Sequence, residues 1–149
     1  MVDHKNMQLQ MFLHNPFLNQ RIYLCKKVIY AIEQHIKSKG PYGILQEYIG
    51  HGIGRTMHED PAVFNYKTRD AGPKVEAGMC IAIEPMITAG DQQTFIQDDD
   101  WTVETMDGSD GAHWEHSVAR HSKGIWVLTE PDGGEAKLKP YGITPISLD

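Results

Sequence analysis

The chain has 149 residues, 40% of them hydrophobic and 23% charged, and no apolar run near the roughly eighteen that span a membrane, so it reads as one soluble domain, 1–149, with a single core. The formal net charge of −6 argues against a nucleic-acid partner, because Lys26-Lys27 and Lys37/Lys39 are too few to make a clustered basic face. Cys25 and Cys80 are too few for a disulfide framework, and Met1 is followed by a polar stretch with no apolar leader, so the cytoplasm is the expected compartment.

Residues 1–20 are rich in Gln, Asn and Met and carry no period, so they form an atypical N-terminal segment with no predicted element. Val28, Ile29, Ile32 and Ile36 follow helical spacing, and Lys37, Lys39, Gly40 and Pro41 supply a cationic last turn and a stop, which predicts a helix over 22–39. Short runs at 44–49 and 79–83, bounded by Gly or Pro, predict strands, with Cys80 as a small buried hydrophobe in the second. Asp98-Asp99-Asp100 lacks the spacing of a calcium loop and reads as a solvated turn. Residues 101–106 alternate with period two and predict a strand, Asp107-Gly108 a hairpin turn, and 125–128 a last strand before the tail from Pro131. A helix followed by several antiparallel strands makes the fold class α+β.

Three punctuated segments stand out: Gly50-His51-Gly52-Ile53-Gly54, Ile83-Glu84-Pro85-Met86 and Trp114-Glu115-His116. If the fold gathers them, one imidazole and two carboxylates suit a divalent manganese, iron, cobalt or zinc ion better than calcium. The glycines around His51 clear side chains from the imidazole and allow unusual backbone angles, and their spacing does not fit a phosphate loop. Glu84 ends an apolar run, where a carboxylate needs a metal or an ion-pair partner. Glu115 reads either as a third ligand or as an exposed strand carboxylate.

In order and in combination, the segments 50–61 (GHGIGRTMHEDP), 79–90 (MCIAIEPMITAG), 101–109 (WTVETMDGS) and 112–118 (AHWEHSV) resemble the type I methionine aminopeptidases, over roughly residues 42–130. The resemblance implies a pita-bread fold, of which this chain supplies essentially the second half, an antiparallel sheet with flanking helices. It implies His51, Glu84 and Glu115 as metal ligands with Glu115 bridging, His58 at the substrate's peptide group, Met57 and Trp101 near the methionine side chain, and Glu84 as proton shuttle. The implied reaction is metal-dependent hydrolysis that removes the N-terminal methionine of peptides and nascent proteins. The family draws two further ligands from an upstream Asp…Asp pair, whereas Asp3 is the one aspartate before His51, so one ion or none is expected where the family holds two. Asp100 stands where the family usually has Gly before the Trp. A half-fold also leaves a sheet edge uncovered, so a complementing chain or a second copy is an expected partner. The alternative is an inactive half-domain relic that binds a partner such as the ribosome.

Overall fold

The computed structural model describes residues 28–69 and 72–148. Cys25, the segment 1–20 and the start of the predicted helix lie outside the described residues.

The described helix, α1 (Tyr30–Lys39), follows a wider π turn at Val28-Ile29 and ends at Gly40 as its stop signal predicts. Ile32 and Ile36, one turn apart, are fully buried, and Lys37 pairs with Glu33 on the wet face. Among the described residues ten strands follow: β1 (Gly43–Ile44), β2 (Gly50–Ile53), β3 (Glu59–Val63), β4 (Cys80–Ile83), β5 (Met86–Thr88), β6 (Thr94–Ile96), β7 (Val103–Thr105), β8 (Gly111–His113), β9 (His116–His121) and β10 (Gly124–Val127). A short helix, α2 (Glu135–Leu138), closes the core through Leu138.

All strand pairs are antiparallel, which bears out the α+β expectation. A five-stranded sheet runs in the order β10-β9-β4-β2-β3, a three-stranded sheet in the order β1-β5-β8, and β6 and β7 form a separate hairpin. One apolar cluster joins Ile32 and Ile36 of α1 to Val63, Ile81, Val118, Ile125 and Val127 of the large sheet. β4 is central and its Ile81, Ala82 and Ile83 are all buried, so the strand has no wet face.

Both carboxylates sit where the chain changes sheets. β4 and β9 pair down to Ile83↔His116, and β5 and β8 resume at Met86↔His113. Between these registered pairs Glu84 and Pro85 face Trp114 and Glu115. Pro85 has no N–H to give to a ladder, so the pairing must break there, and two side chains thirty-one positions apart in sequence meet at the seam.

Four sequence expectations need correction. Residues 44–49 are not one strand: β1 ends at Ile44, the Leu45 N–H bonds the Met86 carbonyl at 3.0 Å, and exposed Gln46 and Glu47 carry the chain across to the other sheet. Asp107-Gly108 does not close a hairpin, because β7 pairs β6 through the turn at 97–102 whereas the turn at 107–108 leads to β8, whose partner is β5. Glu115 lies on the seam and not on a strand. Cys80 is half-buried rather than buried, and its partial burial raises the thiol pKa.

The acidic run forms the solvated turn that its spacing predicts. The Asp99 carboxylate accepts from the Trp101 N–H at 3.0 Å, the Thr102 N–H at 2.8 Å and the Thr102 hydroxyl at 2.6 Å. Asp100 adopts a φ of 55°, the left-handed conformation in which glycine is least strained.

Candidate functional site

His51 is aimed by a bulge. On β2 and β3, Gly50 pairs with Val63 but Gly52 pairs with Glu59, so one residue of β2 faces three of β3. Such irregularities bend a strand and redirect a side chain. The flanking glycines serve close approach here, since a Cβ on Gly50 would lie 2.3 Å from the Ala82 carbonyl oxygen and one on Gly52 2.1 Å from that of Asp60. Neither glycine has a positive φ, so the expected unusual backbone angles are not their role.

The imidazole's two nitrogens have different partners. Nδ1 lies 2.9 Å from the Gly52 carbonyl oxygen, which can only accept, so Nδ1 carries the proton. In the neutral ring that leaves a lone pair on Nε2, and Nε2 faces Glu84 Oε1 at 3.2 Å. Two lone pairs at that distance repel unless a proton or a metal cation lies with them.

Glu84 is 8% exposed, and its second oxygen, Oε2, lies 3.3 Å from His113 Nε2. Burial pushes its carboxyl pKa up, the Glu115 carboxylate pushes it further, and His51 and His113 pull it back down. Asn65, fully buried, extends its side-chain amide toward the Glu84 carbonyl at 3.4 Å. The His58 ring packs 4.3 Å from that of His51, centre to centre, at an interplanar angle of 56°.

Glu115 is exposed, and its neighbour in sequence anchors it. His116, 3% exposed, accepts from the Trp114 indole N–H at Nε2 (3.2 Å), which puts its proton on Nδ1, 2.8 Å from the Thr129 hydroxyl. Burial holds the His116 pKa down, in keeping with a neutral ring, while Glu130 beside it is paired with Lys137.

The seam and the bulge thus bring His51, His58, Glu84 and Glu115 into one neighbourhood. They also bring in His113, to which the sequence reading gave no role. The signal was present: in the run His113-Trp114-Glu115 an imidazole precedes a carboxylate by two residues, the spacing that shares one face of a strand. Met57 and Trp101, 72% and 86% exposed, stand open to solvent. Neither lines the cavity of about 600 Å³ that Leu45, Met86, Ile87, Val103, Ala112 and His113 help to form. Among the described residues no three His, Cys, Asp or Glu side chains are already gathered as a metal-binding group.

Residues 23–121 match the sequence model of metallopeptidase family M24. The chain belongs to this family. It is 46% identical over 102 residues to the methionine aminopeptidase of Clostridium acetobutylicum, covering 68% of this chain and 40% of that one. To methionine aminopeptidase 1 of Mycobacterium tuberculosis it is 51% identical over 88 residues, covering 59% of this chain and 33% of the other. The crystal structure of the Thermotoga maritima methionine aminopeptidase superposes with a TM-score of 0.73 at 35% identity, over 87% of this chain and 49% of that one. The fold is therefore the M24 pita-bread fold in part, and the chain spans about 40% of the length of the Clostridium relative.

Proposed function

We propose that the centre around Glu84 binds a divalent ion and serves the hydrolytic removal of N-terminal methionine from peptides and nascent proteins. The observation that carries this reading is the His51 Nε2 lone pair facing the buried Glu84 carboxylate at 3.2 Å. Two cis ligands with bonds of about 2.1 Å to one ion stand about 3.0–3.4 Å apart, so the separation fits a shared cation. Two carboxylates close enough for Glu115 to raise the Glu84 pKa also favour a cation between them.

His51, Glu84 and Glu115 would hold the ion, and imidazole with carboxylate oxygen suits manganese, iron, cobalt or zinc. When bound, such an ion supplies a water acidified toward neutral pH and polarises the scissile carbonyl. The remaining chemistry belongs to the chain. Glu84, whose two oxygens face His51 and His113, would take the proton and pass it to the leaving amine. His58, beside His51, offers a ring nitrogen to the substrate's peptide group. Met57 and Trp101 are exposed and available to cover a methionine side chain, a thioether packing well against an indole. Among the described residues no helix is long and apolar enough to cross a membrane, and nascent chains place the proposed substrate in the cytoplasm.

A second reading, a partner-binding module without catalysis, is favoured by one observation: the donors are not gathered as a finished group. Methionine release from a Met-Ala-Ser peptide with manganese or cobalt separates the two. The peptidase reading expects release that a chelator stops and that Glu115→Ala lowers by about 100-fold or more. Release that persists unchanged in Glu115→Ala would sink it, and absence of release with no stoichiometric ion would favour the binding module.

A further inference from the structure

We propose that His113 is a second imidazole ligand of this centre, making the donor set two imidazoles and two carboxylates. The inference rests on the reading of the centre as a metal site and adds a ligand that the motif pattern does not name. His113 ends β8 at the seam, paired with Met86, two residues before Glu115. Its Nε2 stands 3.3 Å from Glu84 Oε2, nearly the separation of His51 Nε2 from Oε1, so each oxygen of one buried carboxylate faces its own imidazole. Both separations fall in the range of about 3.0–3.4 Å for neighbouring ligands on one ion.

The His113 side chain is 47% exposed, whereas that of His51 is 14% exposed. One imidazole is therefore fixed by the bulge and its bond to the Gly52 carbonyl, and the other has room to turn. That turn would complete the group that the described side chains do not yet form. Two imidazoles with a glutamate are a common set for a catalytic zinc ion that keeps an open position for water. The second imidazole also moves the preference away from manganese, which favours an oxygen-rich set, toward zinc or cobalt.

The test is a titration of the full chain with Co(II), followed by visible absorption, for the native protein, His113→Gln and His51→Gln. Gln keeps a hydrogen-bond donor toward Glu84 but removes the imidazole, so a merely structural role for His113 would leave the cobalt bands unmoved. Circular dichroism on each variant checks that it folds. The expected result is one bound ion in the native chain, with affinity lowered about 10-fold or more and the bands shifted in both variants. Native affinity and bands in His113→Gln, with loss in His51→Gln, would overturn the role of His113 and leave the peptidase reading standing. No cobalt uptake by the native chain would overturn both.

Discussion

Gly52→Ala is expected to lower the stability of the chain by about 3 kcal/mol, at the upper end of what overpacking usually costs. The new methyl would sit 2.1 Å from the Asp60 carbonyl oxygen and 2.6 Å from its carbon. These are backbone atoms of the adjacent strand, so no side-chain rotation relieves the clash, and β2 must part from β3. The Gly52 carbonyl also accepts the His51 Nδ1 proton at 2.9 Å, so the same displacement turns the imidazole away from Glu84. Urea unfolding reads the loss as a fall in midpoint at unchanged slope. Gly111→Ala is the control, since its nearest foreign atom, the Ile87 carbonyl oxygen, lies 3.9 Å away, and its stability should change by no more than about 0.5 kcal/mol. Equal effects at the two positions would contradict the account of why glycine flanks His51.

Glu84→Gln is expected to act in opposite directions on ion binding and on the stability of the ion-free chain. Binding should fall by about 100-fold or more, because the substitution removes the carboxylate that faces both imidazoles. The ion-free chain should become more stable at neutral pH. The folded Glu84 carboxyl has its pKa raised above 4.5, chiefly by burial and then by Glu115, so the folded state holds that proton more tightly than the unfolded state does. Its contribution to stability is fully present below the unfolded value and is lost as pH rises through the folded one. The advantage of Gln over Glu therefore opens above about pH 4.5 and levels off beyond the folded pKa. Thermal unfolding across pH 4 to 8 in the presence of a chelator measures it. A variant less stable than the native chain at pH 7 would show that the carboxylate is satisfied without a cation, which removes the main support for a metal there.

Local signals in the sequence were sufficient for the elements that local chemistry decides. The stop at Gly40, β4 and β10 came from spacing, apolar runs and Gly or Pro boundaries, and the Asp99 turn from composition. What escaped were the partners of each strand. The run 44–49 is interrupted because β1 and β2 belong to different sheets, and the turn at 107–108 leads away from its own hairpin because Ala112 of β8 pairs with Ile87 of β5. No periodicity encodes either choice. Of the candidate site, His51, Glu84 and Glu115 lie in punctuated motifs, and His58 entered through the resemblance. His113 stands two residues before Glu115, but its approach to Glu84 depends on the seam, which exists only once β4-β5 and β9-β8 break opposite each other. Met57 and Trp101 were assigned by resemblance, and both stand exposed.

The central claim is that Glu84 and its neighbours hold a divalent ion. Crystals grown with Co(II) and measured at the cobalt absorption edge test it directly. The account predicts an anomalous peak within bonding distance, about 2.0–2.2 Å, of both His51 Nε2 and a Glu84 oxygen. A map with no peak there, with Glu84 facing His51 and His113 alone, would contradict it.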